Sequence, residues 1–252
     1  MDVKTEISEE FLPLYTSKKR YFFLTGGRGS LKSTSVHDFI SRLTYERGHG
    51  VLFTRYTMTS AEKSIIPEFI IVATRNGTIR DFDVTKTQIT NKHTGSFILF
   101  SGIHTSSGNQ TATLKSIAGI TTWVIDEGED FRDEKTFDDI DNSVRSIGNQ
   151  NRVIWIMNPC TDEHFIYKRW IEAKNKQIDI DGFKVVVSDV DEVEHIHTTY
   201  LIAKKYLSES FLDKAEKLKI SNPQKYYHTF IGGWLDKSEG VIYEDWEEGE
   251  FD

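Results

Sequence analysis

Cysteine is all but missing: Cys160 stands alone in 252 residues. That excludes an internal disulfide and fits a reducing cytosol, and with no evident base partner the thiol reads as structural. Long apolar runs are missing too, none approaching the ~18 residues of a membrane span. The N-terminus, MDVKTEISEEF, is acidic and polar and does not read as a signal peptide. A surplus of basic charge is absent as well: 31 Lys and Arg face 39 Asp and Glu, a formal net charge of −8 with a pI near 5.5. Any nucleic-acid contact therefore needs a local basic patch. There is no internal repeat and no low-complexity linker. What remains, 38% hydrophobic and 28% charged residues, is ordinary for a soluble globular chain of one large domain or a core plus a satellite.

Strand-like and helix-like stretches alternate. Apolar runs at Arg20–Thr25, Val51–Arg55, Thr121–Ile125, Arg152–Met157 and 183–188 predict strands, and 32–47, 60–74 and 162–174 predict helices. Residues 80–101 break the rhythm: DFDVTKTQIT and SFILFSG, separated by NKHTG, predict an antiparallel hairpin. Residues 198–231 read as helical, and EDWEEGEFD as an exposed acidic tail. Beta-alpha alternation predicts an α/β fold with a mainly parallel sheet covered on both faces.

The first chemical motif follows the first strand. Gly26-Gly27-Arg28-Gly29-Ser30-Leu31-Lys32-Ser33 matches the phosphate-binding pattern G-x-x-x-x-G-K-[ST] at all but one position. Glycines let backbone N–H groups turn inward around phosphate oxygens, and the following helix adds its positive end. Lys32 is placed to reach the β- and γ-phosphates, and the Ser33 hydroxyl to ligate Mg²⁺. Leu31 replaces the usual glycine before the lysine, and the expectation is that it already has helical φ/ψ. The competing reading is a glycine-rich turn with an incidental Lys-Ser pair.

The second motif is Thr122-Trp123-Val124-Ile125-Asp126-Glu127, an apolar strand ending in two carboxylates. Asp126 is expected to accept from a Mg²⁺-bound water or from Ser33, and Glu127 to polarise the water that attacks the γ-phosphate. Such a pair is common at strand ends, but about 90 residues after a P-loop it favours hydrolysis over binding alone. A further strand ends at Asn158-Pro159, where a polar side chain can sit beside the γ-phosphate and the proline turns the chain away.

The ordered set GGRGSLKS, LKSIAGITTWVIDEGEDF, RVIWIMNPCTDEHFIYKRW and YYHTFIGGWLDKSEGVIYEDW resembles the ATPase half of a tailed-bacteriophage terminase large subunit. The resemblance covers nearly the whole chain. It implies a P-loop NTPase of the ASCE/RecA-like type, with a β-hairpin insertion and a small helical C-terminal subdomain. The implied division is an ATPase core at 1–190 and, at 191–252, a helical linker toward a C-terminal nuclease not found in this sequence. It also implies Mg²⁺-dependent ATP hydrolysis that drives double-stranded DNA into a procapsid. The implied partners are the portal protein, the small terminase subunit and a homo-oligomeric ring, in the host cytoplasm.

Residue by residue, Lys32 and Ser33 match the nucleotide and metal positions, Asp126 the metal-side aspartate and Glu127 the catalytic carboxylate. Asn158 matches the coupling motif and Arg28 the loop arginine near the γ-phosphate. Phe11 and Tyr15 stand where the family packs residues against adenine; N-terminal core packing is the alternative. No arginine lies between Asp81 and Phe131, so Lys115 is the candidate basic residue for a neighbouring subunit's site, with Arg145 and Arg152 as alternatives. His195-Ile196-His197 reads as a surface loop, since zinc wants three or four organised ligands. Lys168-Arg169-Trp170 reads as a solvated helix face. A P-loop nucleotide kinase and a nucleotide-dependent scaffold or switch are the competing functions. Phosphate release measured with and without candidate acceptors, and across protein concentration, separates them.

Overall fold

The structure, a computed structural model, describes residues 7–57, 61–104 and 117–236. Lys115 with the rest of the LKS half of the LKSIAG segment, and the acidic end EDWEEGEFD, lie outside the described residues.

Tyr21–Gly26 (β1), Ile120–Ile125 (β6) and Arg152–Met157 (β7) are buried at every position. Such unbroken burial belongs to parallel strands covered on both faces. The side chains still alternate between two cores, as the two-residue period of a strand requires. Phe22 and Leu24 join the core beneath Lys32–Leu43 (α1) and Ile66–Arg75 (α2). Tyr21 and Phe23 join the opposite core, with Phe137 and Ile140 of Glu134–Asp141 (α3) and with Trp170. Helix α1 buries Val36, Phe39, Ile40 and Leu43, one stripe at three- and four-residue spacing. Helix α2 starts with Pro67 in its first turn, where no N–H is needed, and a π-helical turn at Ala61–Ile65 precedes it.

The sheet has eight strands, in order Val193–Thr198 (β10), β1, β7, β6, Gly50–Thr57 (β2), Phe97–His104 (β5), Gln88–Asn91 (β4) and Phe82–Val84 (β3). Gly50–Thr57 (β2) lies between β6 and Phe97–His104 (β5), parallel to both. As the sequence predicts, Gln88–Asn91 (β4) folds back antiparallel on β5 across the NKHTG turn, and Phe82–Val84 (β3) adds outside it. The hairpin thus extends the main sheet. Its central order, β10-β1-β7-β6-β2, inserts β7 between the P-loop strand and the strand ending in Asp126, the arrangement expected of an ASCE fold.

Several elements differ from expectation. His195 and His197 do not lie on a surface loop. Val193–Thr198 (β10) pairs in parallel with β1, so the sheet continues past residue 190. Phe183–Ser188 (β9) is the strand expected at 183–188, and it pairs with Asn175–Ile180 (β8), a strand the sequence reading does not anticipate, in a separate hairpin after the helix expected at 162–174. That helix ends instead in a π-helical turn at Tyr167–Ile171. Lys168 and Arg169 are solvated, but Trp170 is buried, so only part of that face is a surface. The C-terminal part is helical at Tyr200–Tyr206, Glu209–Ser221 (α4) and Pro223–Ile231, and it packs a third core against β9.

Candidate functional site

All parallel strands of the central sheet end on one side, and the chain's polar groups gather there. Gly26 ends β1 and Gly27 follows it, Asn158 follows β7, Asp126 and Glu127 follow β6, and Arg55 stands near the end of β2. All but Gly26 border a cavity of about 380 Å³ that the loop 27–33 lines from one side.

Lys32, 8% exposed, curls back into its own loop. Its ammonium donates to Gly26 O at 2.9 Å, Gly27 O at 3.0 Å, Ser30 Oγ at 2.9 Å and Asn158 Oδ1 at 3.2 Å. Burial pushes its pKa down to about 8, against the opposing attraction of Glu129 and Asp126. Leu31 corrects an expectation. It is left-handed, at φ 63° and ψ 8°, so it does not belong to the helix that starts after it. A β-carbon is disfavoured there by roughly 1 kcal/mol, which is why glycine is usual at this position. Its side chain packs on the core beneath α1, and that contact offsets the strain.

Asp126, 3% exposed, accepts from Arg55 Nε at 2.8 Å. Glu127 turns off the strand at φ 53° and ψ 46°, half-exposed, with Oε1 at 3.2 Å from Arg55 Nη2. Burial raises the Glu127 pKa, Arg55 opposes this, and Asp126, Asp130 and Glu68 add to it. Asn158 joins two groups: besides accepting from Lys32, it donates from its backbone N (3.2 Å) and Nδ2 (3.1 Å) to the Glu129 carboxylate. Burial also raises the Glu129 pKa. Arg55 and Glu129 are functional candidates that sequence reasoning missed. Arg55 closes an ordinary strand, and Glu129 hides in the run DEGED behind the more recognisable pair.

Arg28 is exposed and lines the cavity, and its backbone N–H donates to Thr229 O at 3.0 Å. Phe11 is 1% exposed and packs in the core, while Tyr15 donates to Asp38 Oδ2 at 2.9 Å. Both also line a second cavity of about 570 Å³, which shares Leu31, Thr34 and Tyr206 with the first. Arg145 precedes β7 and Arg152 is its first residue, both at the opposite end of the strand from the loop, and Arg152 is buried against Phe39. Cys160 is half-buried, its thiol pushed up to about 11 by burial, in keeping with a structural role.

The two histidines of β10, both partly buried, form a hydrogen-bonded chain of one polarity. Ser188 N donates to His195 Nδ1 (2.7 Å), so His195 Nε2 carries the proton and donates to Thr25 Oγ1 (2.7 Å). Thr25 then donates to His197 Nδ1 (2.8 Å), and His197 Nε2 donates to Ile231 O (2.8 Å). Both rings are neutral links between β1 and the C-terminal turn. They are not metal ligands, and no group of three or more His, Cys, Asp or Glu among the described residues is placed to hold a metal unaided.

Residues 18–233 match the family of the phage terminase large subunit. The chain belongs to that family. The large terminase subunit of Bacillus phage SPP1 is 26% identical over 258 residues, covering 95% of this chain and 56% of that protein. The large terminase of thermophilic bacteriophage D6E superposes with a TM-score of 0.69 at 13% identity, over 92% of this chain and 54% of that one. The large terminase ATPase domain of Thermus phage P74-26 gives 0.64 at 11% identity, over 92% and 96%. At these identities the structural likeness establishes the fold, that of terminase ATPase domains. The chain spans about half the length of the full-length family members it matches.

Proposed function

We propose that this chain hydrolyses ATP with Mg²⁺ and that hydrolysis powers movement of double-stranded viral DNA into a procapsid. The observation that carries the reading is the convergence of Lys32, Asp126, Glu127 and Asn158 on one cavity behind a phosphate-binding loop. Support comes from the family, and from the D6E large terminase, whose structures include complexes with ATP-gamma-S and with ADP. The donor set fits Mg²⁺: the Ser33 hydroxyl and the buried Asp126 carboxylate are hard oxygen donors, too few to cage an ion without phosphate oxygens and water. Bound there, Mg²⁺ would neutralise charge on the phosphates.

The chain's own residues do the rest. Lys32 exchanges its loop carbonyls for β- and γ-phosphate oxygens, and the loop amides and Arg28 hold the phosphate chain. Glu127 orients the attacking water, and Asn158, released from Lys32, reports the γ-phosphate to Glu129. The second cavity, beside Phe11 and Tyr15, takes the nucleoside. Lys115 of a neighbouring subunit completes the site in a homo-oligomeric ring, docked through the portal protein and fed by the small terminase subunit in the host cytoplasm. Residues 1–190 and 191–252 act as ATPase core and linker subdomain.

Phosphate release tests the reading. Glu127→Ala binds a fluorescent ATP analogue like the unaltered chain but releases phosphate at least about 100-fold more slowly. Full turnover in that variant removes Glu127 from the mechanism.

A further inference from the structure

Strands β1, β7, β6 and β2 run parallel side by side. The loops that enter β1, β7 and β2 therefore gather on the edge of the sheet opposite the phosphate cavity. Those loops, residues 17–20, 45–49 and 145–151, carry Lys18, Lys19, Arg20, Arg47 and Arg145 against the single acid Glu46. In a chain of net charge −8 this is a local basic patch of the kind a nucleic-acid contact requires. Lys19 and Arg20 are already paired, with Glu194 (3.8 Å) and Asp141 (2.5 Å). Lys18, Arg47 and Arg145 are exposed and have no ion-pair partner among the described residues, and Glu46 lies 3.4 Å from His49 Nε2. Beyond β1 the loop entering β10 is acidic, and its Asp189, Asp191 and Glu192 are taken by Lys176, Lys174 and the Trp170 indole. The patch ends there.

The three unpaired cations are firmly presented. Each lies between two backbone carbonyls that a side chain holds. Gln150 Nε2 donates to Ser17 O (3.2 Å) and Lys19 O (3.0 Å), on either side of Lys18. Ser96 Oγ donates to Glu46 O (2.6 Å) and Asn149 Nδ2 to Gly48 O (2.9 Å), on either side of Arg47. Arg20 Nη2 donates to Val144 O (3.3 Å) and Asn151 Nδ2 to Ser146 O (2.9 Å), on either side of Arg145. Gln150 and Asn149 both belong to the third loop, so the three loops are tied into one edge. An anion bound here orders side chains and little backbone, which keeps its entropic cost low.

Neighbouring strands lie about 4.8 Å apart, so the edge from β1 to β2 spans roughly 14 Å. One DNA strand places a phosphate every ~3.4 Å along the helix axis, so such an edge faces about four of them. The nucleotide is too distant to be the ligand: six residues of β7 put this edge roughly 20 Å from the cavity. The amides of Asn149, Gln150 and Asn151, which could read base edges, are spent on backbone groups. We propose that Lys18, Arg47 and Arg145 form a docking edge for the phosphate backbone of duplex DNA, which they grip without reading its sequence. This rests on the reading of the chain as a motor that moves double-stranded DNA.

The test is the salt dependence of binding to a fluorescein-labelled duplex, measured by anisotropy with the full 252-residue chain. Each phosphate contact contributes about 0.9 to the slope of log K against log salt. The triple variant Lys18→Gln, Arg47→Gln, Arg145→Gln is expected to lower that slope by about 2 to 3. It should also bind at least about 10-fold more weakly at low salt, alike for two unrelated duplex sequences. A charge-matched control, Lys214→Gln, Lys217→Gln, Lys225→Gln, removes three exposed cations of the C-terminal helices and should leave the slope unchanged. Ile147→Ser, which takes away the wholly exposed side chain at the tip of the third loop, should leave it unchanged too. Melting curves and titration with a fluorescent ATP analogue check that each variant is folded. An unchanged slope in the triple variant, an equal fall in the control, or a larger loss in Ile147→Ser overturns the proposal. In those cases the DNA-moving reading stands, because the unaltered chain still binds duplex. An unaltered chain with no salt-dependent duplex binding overturns both.

Discussion

Two residues in this site depart from what their neighbours in sequence suggest, and each has a measurable consequence. Leu31 keeps a side chain at a backbone conformation suited to glycine, φ 63°, because that side chain has a core to pack on. Truncation separates the two effects. Leu31→Ala loses the packing and keeps the strain, whereas Leu31→Gly loses both. In urea unfolding, Leu31→Gly should exceed Leu31→Ala in stability by about 1 kcal/mol. The reverse order would mean the left-handed turn is wrong. Asn158 stands between a buried ammonium and a partly buried carboxylate, accepting from Lys32 and donating to Glu129. Asn158→Ala leaves Lys32 its three loop acceptors but removes the Nδ2 donor to Glu129, and should cost about 1–3 kcal/mol in the same assay. The motif residues Lys32, Ser33, Asp126 and Glu127 were legible because their spacing is fixed by strand, loop and helix. Arg55 and Glu129 were not, since nothing local marks an arginine on one strand as the partner of carboxylates more than one strand away in sequence.

The central strands β1, β6 and β7 could be read from apolar runs alone, since burial on both faces leaves little room for polar residues. β10 could not. Its polar residues, VEHIHT, are satisfied by hydrogen bonds that only the neighbouring strand and the C-terminal turn provide. β8 has a local signal in the turn that follows it: Asp181-Gly182, at φ 56° and 83°, is the two-residue turn of a hairpin. The loop and the C-terminal turn at Tyr227–Ile231 are tightly apposed. A β-carbon on Gly27 would lie 2.1 Å from Phe230 O, and one on Gly232 would lie 2.3 Å from the carbonyl carbon of Gly26. Both neighbours are backbone and cannot give way without moving an element. Gly27→Ala should therefore lose about 1–3 kcal/mol of stability and weaken nucleotide binding, read by a melting curve and a fluorescent ATP titration. Normal binding with normal stability would show that the two segments are not clamped.

At the scale of the whole molecule, His164, His195 and His197 make the fold sensitive to acid. Burial holds His164 and His197 down to about 4 and His195 well below its ordinary value, so the fold prefers all three neutral. The unfolded chain takes up protons near pH 6.5, and the folded chain resists until near pH 4. Their contribution to stability is therefore full above about pH 6.5 and falls as the pH drops toward 4. The Tm should decline across that window, and more shallowly in His197→Gln. An identical slope would mean that His197 is accessible to protons in the fold.

The sequence by itself determined the phosphate-binding loop, the carboxylate-ending strand, the parallel α/β core and the resemblance to terminases. Those features depend on backbone conformation and burial within short segments, where residue type and spacing carry the physics. Only the tertiary structure decided that Arg55 faces Asp126 and Glu127, and that Asn158 joins Lys32 to Glu129. It also decided that two histidines tie the P-loop strand to the C-terminal turn. Each of these contacts forms between segments far apart in the chain, brought to one edge by strand order. No local pattern of residues encodes that order; the packing of the whole sheet does.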